Sequence, residues 1–405
     1  MIFNNPILAI QPSIEIAFRN PLEHKITKSA SEIFSAISDP AFNRDRLFYM
    51  CNVVSKVIEQ YDGNKREIFP FKNQALQFAV DMDSNDMVLM RMDRETIKVI
   101  ISSQKILGAG SYKKVWAAHC LFISSRAIKA YPIALTKTFD NEDDSETVIE
   151  GIRLERKFYE KTSSIQPSVF WDNENEYLYT EQERFDKTLM EISNFLRPKD
   201  FLPFFSKLAL HIDKLHKENI VHCDIKNTNI FLRLKKGRSD VHIGDWDLAV
   251  NLSQLWDFDS MIGNEYPYWD SLRRNKFPLP TTDIFAFVIC LAEIILGRPF
   301  QEQYWENPIL EDLKKNNKLI LRESLAQQNS MIDRIVVLFA NNQLINIIRS
   351  DQQFFDYAKC LYENNYEEPG FSIYKFHAVL LRNYPKFYPT MSDLHSEIDT
   401  VLKFK

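Results

Sequence analysis

The sequence predicts an α+β chain of two lobes, in which a strand-rich segment of about 80 residues precedes a helix-rich segment of about 220. Three observations carry this. Between Val99 and Thr180 short apolar runs are broken by turn residues, Gly108-Ala109-Gly110 and Asp172-Asn173 among them. From Phe201 onward the apolar spacing becomes helical, as in Phe205, Leu208, Ala209, Ile212 and Leu215. The most apolar run, Ile284 to Leu296, is interrupted by Glu293 and is too short to span a bilayer, so it reads as a buried helix.

Residues 1–99 read as a mainly helical N-terminal extension. Ser29 to Ile37 and Arg44 to Tyr61 carry helical spacing, the second stretch stopping at Asp62-Gly63, while Gln74 to Met92 is ambiguous between helix and strand. Residues 100–182 form the small lobe. Its strands are Val99 to Leu107, Val115 to Phe122 and Arg126 to Ala130. An acidic stretch, a helix with Ile149, Ile152, Leu154 and Phe158, and a hairpin around Asp172-Asn173 complete it. Residues 183–405 form the large lobe, mainly helical, with short strands at Ile230–Leu232 and Val241–Ile243. An extra helical insert falls at about 301–375, its apolar patches (Val336, Val337, Leu344, Ile347) expected in the core.

Composition narrows the function. The 405 residues are 45% hydrophobic and 26% charged, as in ordinary globular chains. Fifty basic residues against 55 acidic ones give a net charge of −5, which offers no global electrostatic case for binding nucleic acid or a membrane surface. Five cysteines lie far apart with no C-x-x-C pair, arguing against zinc and disulfides and for a reducing, cytoplasmic setting. The N-terminal stretch lacks the basic start of a signal peptide, and no transmembrane segment is expected.

The chemistry concentrates in His222-Cys223-Asp224-Ile225-Lys226-Asn227-Thr228-Asn229, after the amphipathic helix. An Asp, a Lys two residues on and an Asn five residues on share one tight loop. Phosphoryl transfer needs this set: a carboxylate to orient the attacking hydroxyl, a cation against the moving charge, and an amide oxygen for a metal. Asp245 follows a strand sixteen residues after Asn229 and supplies a carboxylate for Mg²⁺. Upstream, Gly108-x-Gly110 at a strand end, followed by Val115, lets backbone N–H groups approach phosphates. Lys129 places an ammonium on the third strand, and Glu155 is its expected partner, preferred over Glu150.

In these motifs the chain resembles the eukaryotic-type protein kinases, over about residues 100–300 and a piece near the C-terminus. Gly108-Ala109-Gly110-Ser111-Tyr112-Lys113-Lys114-Val115 is similar to the family's Gly-rich loop, and Arg126-Ala127-Ile128-Lys129 to its V-A-I-K strand. His222 to Asn229 resembles the catalytic loop and Asp245-Trp246-Asp247 the metal-binding D-F-G. Thr282-Asp283-Ile284-Phe285 resembles the start of the central helix, and Tyr388-Pro389-Thr390 the stretch before the last helix. The resemblance implies ATP with Mg²⁺, or Mn²⁺, and a protein substrate. It implies nucleotide contacts from Gly108, Ala109, Gly110, Ser111, Val115, Ala127, Lys129, Glu181 and Phe231, metal ligation by Asn229 and Asp245, and catalysis by Asp224, Lys226, Lys129 and Glu155. Lys226 follows the pattern of Ser/Thr-type members.

Departures from the family carry expectations too. Cys223 replaces the arginine that meets a phosphorylated activation loop, so activity is expected without that phosphate. Asp247 replaces a glycine. Asp270 and Tyr388 stand where the family pairs Glu with Arg, and a carboxylate–phenol hydrogen bond is expected between them. Taken singly, Gly-x-Gly or Lys129 means little; the common order and spacing of all the parts carries the reading. A small-molecule phosphotransferase of the aminoglycoside/choline kinase type, a pseudokinase scaffold and transfer of another group from ATP are the competing readings. A partner or activator is expected at 1–99 or 301–375. The Phe-, Lys- and Asn-rich, Gly-poor composition, joined to the resemblance, suggests an effector of an intracellular bacterium acting in a host cell.

Overall fold

The computed structural model describes residues 76–83, 86–92, 97–109, 113–123, 128–138, 142–159, 168–172, 177–192, 197–235, 238–253, 268, 270, 272, 277–297, 326, 330–365 and 372–404. The helices expected within 29–61, the residues Gly110, Ser111 and Ala127, and most of 301–330 lie outside these. Two compact units emerge. One runs up to Ile152 and includes Tyr159–Arg184; the other holds Arg153–Phe158 and everything from Phe185.

The first unit is built on a seven-stranded antiparallel sheet: β1 (Leu76–Asp83), β2 (Asp86–Met92), β3 (Ile97–Ala109), β4 (Lys113–Ile123), β5 (Ile128–Thr138), β6 (Ser168–Asp172) and β7 (Tyr177–Glu183). Their order is β1-β2-β3-β4-β5-β7-β6. The ambiguous stretch Gln74 to Met92 is therefore a hairpin, with Val80 opposite Val88 and Leu76 opposite Met92. Its alternation (Leu76, Phe78, Val80) has the strand period of two. It also corrects the expected boundary at 99, which would cut β3: β2 pairs with β3 from Met92↔Ile97 to Val88↔Ile101. The described part of 1–99 is sheet, not helix.

β5 runs well beyond the expected Arg126 to Ala130, because Pro132 does not end it. Pro132 lies opposite His119 on β4, while pairing to β7 begins only at Ile133↔Glu183. At Pro132 β5 has no β7 neighbour, so the missing N–H costs no ladder bond on that side. One face of the sheet packs Ile100, Trp116, Ala118, Cys120, Ile133, Leu135 and Tyr179. On the same face Lys98 forms an ion pair with fully buried Glu181, and its ammonium lies 5.6 Å from the Phe122 ring centroid. Burial pushes the Cys120 thiol up to about 11. A helix, α1 (Glu142–Tyr159), follows β5, and its Arg153–Phe158 turn belongs to the second unit.

The second unit opens with β8 (Lys187–Thr188) and the short α2 (Leu189–Ile192). In α3 (Pro198–Lys217), Pro198 fits the first turn and the Asp200 carboxylate accepts back from the Arg197 N–H at 3.3 Å. Its buried residues Phe201, Phe205, Leu208, Ile212 and Leu215 follow the helical spacing read from the sequence. Two small pairings frame the loop that follows: β9 (Ile220–Val221) with β12 (Val250–Asn251), and the hairpin β10 (Ile230–Lys235) with β11 (Arg238–Ile243). α4 (Pro280–Leu296) is buried from Pro280 to Ile295 and ends at Gly297, whose φ of 70° is the left-handed conformation glycine adopts without strain. Then come α5 (Met331–Asn365), α6 (Ile373–Asn383) and α7 (Met391–Lys403). By length and composition α5 is apolar enough to cross a membrane. Its Val336, Val337, Ala340, Leu344 and Ile347 are buried against protein.

The expected Asp270–Tyr388 bond does not form. The Tyr388 hydroxyl donates to Asp351 of α5 at 2.7 Å, and Asp270 accepts from Thr281 at 2.6 Å and Thr282 at 3.2 Å. A phenol has one proton to give, and α5, whose course the sequence did not reveal, brings the nearer carboxylate. Tyr388→Phe leaves the Asp351 carboxylate buried without this donor while keeping the ring against Phe354. The expected cost is about 1–3 kcal/mol, read as a lower urea midpoint at unchanged m-value.

Candidate functional site

The loop 222–229 is fastened from below by Asp283 in the first turn of α4. Its carboxylate accepts the His222 N–H and the Cys223 N–H, both at 2.9 Å, and lies 3.0 Å from the His216 Nε2. Asp283 is fully buried, so these partners take the place of water. The two N–H groups can converge because Cys223 adopts a left-handed φ of 64°, an uncommon choice for a non-glycine residue. The Cys223 thiol turns to the Val221 carbonyl at 3.7 Å, within a cluster of Val221, Val250, Leu248 and Leu252. The position that would hold an arginine is thus an apolar interior.

Above this fastening the polar residues meet. Lys226 Nζ is 3.2 Å from Asp224 Oδ2. Asn229 Nδ2 donates to the same oxygen at 2.7 Å and to the Asp224 carbonyl at 3.1 Å. An amide oxygen in that place would face two acceptors, so the donor assignment is fixed and Oδ1 is turned away from Asp224. Burial pushes the Asp224 carboxyl up to about 7; Lys226 and Asn229 pull it down and the Asp245 charge adds to the rise. Asp245 follows β11 with φ 63°, after Gly244, whose N–H donates to the Asn229 carbonyl at 2.9 Å. A Cβ on Gly244 would stand 2.5 Å from the Phe231 ring, so this close approach of β10 and the turn requires glycine. Trp246 packs against His222, ring centroids 5.0 Å apart, and donates from Nε1 to the Ile243 carbonyl at 2.7 Å.

The donor set suits a hard divalent cation. Asn229 Oδ1 and the Asp245 carboxylate offer two oxygen donors from two adjoining turns. Among the described residues no group of three or more His, Cys, Asp or Glu forms a dedicated metal cage. Mg²⁺ needs none, since it takes one or two protein oxygens and completes its shell with phosphate and water.

The remaining site residues fall as follows. Gly108 pairs with Val115 and Ala109 with Lys114, so both flank the end of the β3–β4 hairpin; Gly108 and Ala109 are exposed and Val115 half-buried. Phe231 is half-buried, its ring 6.1 Å from that of Phe185. The Glu181 side chain is committed to Lys98. Glu155 is buried and its Oε1 lies 3.0 Å from the His242 Nε2, a partner the sequence did not indicate. Lys129 pairs with Phe122, whereas Val115 pairs with Thr136. Seven residues separate Lys129 from Thr136, about 23 Å along a strand, well beyond a lysine stem. Lys137, opposite Lys114, is the buried lysine at the Gly108–Val115 end of the sheet, its ammonium 5.8 Å from the Tyr179 ring centroid. Its signal was legible: the alternation of Ile133, Leu135 and Lys137 continues one strand face past Pro132.

Comparison with known proteins gives the family. The model of the protein kinase domain family matches residues 101–367, well over half of the chain. The chain belongs to the protein kinase domain family. It is 30% identical over 147 residues to the serine/threonine-protein kinase Nek3 of Mus musculus, covering 33% of this chain and 27% of that protein. It is 25% identical over 224 residues to the serine/threonine-protein kinase ULK3 of Rattus norvegicus, 53% of this chain and 45% of that protein. To the membrane-associated tyrosine- and threonine-specific cdc2-inhibitory kinase wee-1.3 of Caenorhabditis elegans it is 26% identical over 210 residues, 48% of this chain and 28% of that protein. The chain spans less than half the length of these curated relatives.

Without nucleotide or divalent ion, folded Asp224 releases its proton near pH 7, against an ordinary value of 3.8. Between these pH values the unfolded chain holds fewer protons than the folded one, so this group's contribution to stability falls as pH rises from about 4 to about 7 and is constant above. Asp224→Asn removes that dependence. Thermal unfolding between pH 4 and 8 is expected to show the variant gaining on the wild type through this window, with a constant gap beyond it.

Proposed function

We propose that the chain transfers the γ-phosphoryl group of ATP, with Mg²⁺, to Ser or Thr hydroxyls of a protein. The observation that carries this reading is the convergence of Lys226 and Asn229 on the Asp224 carboxylate. Family membership makes it a kinase fold; this convergence supports competence. Asp224 orients the acceptor hydroxyl and receives its proton as the oxygen attacks the γ-phosphorus and the bond to the β–γ bridging oxygen breaks, releasing ADP. Its raised pKa makes the carboxylate basic enough for that role near neutral pH. Lys226, beside it, offsets charge on the phosphoryl group in flight. Asn229 and Asp245 would hold the divalent ion, which when bound neutralises phosphate charge and aligns the phosphates.

For the lysine that meets the α- and β-phosphates we propose Lys137 in place of Lys129, on the strand register. Lys226 supports Ser/Thr acceptors, and the burial of the Cys223 thiol among apolar side chains, where the family's arginine would stand, supports activity without an activating phosphate.

Asp224→Asn and Asp245→Asn are each expected to reduce transfer from [γ-³²P]ATP to a protein mixture by at least about a thousandfold, with thermal unfolding still cooperative. Full activity of Asp245→Asn with Mg²⁺ refutes the metal assignment. Phosphoamino acid analysis of the products is expected to give phosphoserine and phosphothreonine; phosphotyrosine alone overturns the acceptor class.

The lysine assignment has its own test. Lys137→Met is expected to abolish transfer, whereas Lys129→Met leaves it within about threefold of wild type. The reverse result restores Lys129.

A further inference from the structure

The loop that carries Asp224 has a second fastening to α4. Glu293, three turns along the helix from Asp283, is buried, and its Oε2 accepts from Asn227 Nδ2 at 3.1 Å. The same oxygen accepts the Tyr268 hydroxyl at 2.6 Å. Asn227 lies between Lys226 and Asn229 and is itself buried; its Oδ1 has no hydrogen-bond partner among the described residues, so Glu293 is what orients its amide. Cys290, one turn before Glu293, is fully buried as well, so the Glu293 carboxylate sits in a buried stretch of α4. Tyr268 comes from a different part of the chain, after the stretch that follows Asp245 and just before Asp270.

We propose that Glu293 is a positioning residue. By accepting from Asn227 and Tyr268 on one oxygen, it sets the height of the Asp224–Lys226 turn and makes that height depend on where Tyr268 is seated. Asp283 holds the start of the loop through backbone N–H groups. Glu293 holds its middle through a side chain, and so can yield without unfolding the loop. Withdrawal of Tyr268 leaves the carboxylate with one fewer donor in a buried place, where each missing partner weakens the rest of the network. The chain thereby couples the segment before Asp270 to turnover rather than to nucleotide affinity.

The inference rests on the proposed phosphoryl transfer, and the test separates the two. In the full chain, kcat and KM for ATP are measured for Glu293→Ala, Glu293→Gln, Tyr268→Phe and the Glu293→Ala/Tyr268→Phe pair, with hydrogen exchange of residues 222–229 in each. Glu293→Ala is expected to lower kcat by about tenfold or more with KM for ATP within about twofold, as for a misplaced reacting group. Glu293→Gln, which keeps an accepting oxygen, recovers most of that loss. Tyr268→Phe falls between, and the pair is no worse than Glu293→Ala alone because both act through one oxygen. Exchange in 222–229 speeds up in Tyr268→Phe and in Glu293→Ala. Multiplying losses in the pair, or unchanged exchange in Tyr268→Phe, overturns the proposal. Should Glu293→Ala fail to fold, Tyr268→Phe and Glu293→Gln decide by exchange. A wild type that transfers no phosphate sinks the functional reading alone, since exchange still reports the bridge.

Discussion

Asp283 is the constraint on which the large unit turns. A fully buried carboxylate is tolerated only where donors surround it, and here two consecutive backbone N–H groups and a histidine do so. To present both N–H groups, the chain must take a left-handed turn at Cys223. That turn starts the bend that brings the Asn229 amide onto the Asp224 carboxylate. The acidic residue, the strained cysteine and the polar triangle of Asp224, Lys226 and Asn229 are one arrangement, and α4 is buried along nearly its whole length because it is the post to which the arrangement is tied.

Against that fixed base the site holds an electrostatic tension. Burial and Asp245 disfavour the Asp224 carboxylate, while Lys226 and Asn229 favour it. A cation near Asp245 relieves one of the opposing influences. The geometry is therefore set by hydrogen bonds, and in the proposed transfer such an arrangement would spend little reorganisation.

The large-unit loop was readable because its chemistry is local: Asp224, Lys226 and Asn229 sit within six residues, and spacing alone puts them on one turn. The buried α4 was equally plain from its run of apolar residues. What escaped was non-local. Whether Gln74 to Met92 was helix or strand depended on β3 offering an edge to pair with. β5 runs on past Ala130 because its pairing with β4 continues through Pro132, where β7 has not yet joined. Glu155 meets His242, 87 residues away, a neighbour its local sequence does not reveal. Tyr388 found Asp351 because a long helix intervened. In each case the deciding neighbour lies far along the chain, where periodicity carries no information.

Trp246 gives the aspartate-bearing turn an unusual weight. Its indole is 1% exposed, lies between His222 and Phe158, and spends its only N–H on the Ile243 carbonyl. Swinging it outward would expose a large apolar surface and orphan a donor together, a penalty of several kcal/mol. A ligand that gained room only by evicting the residue after Asp245 would meet that penalty in full.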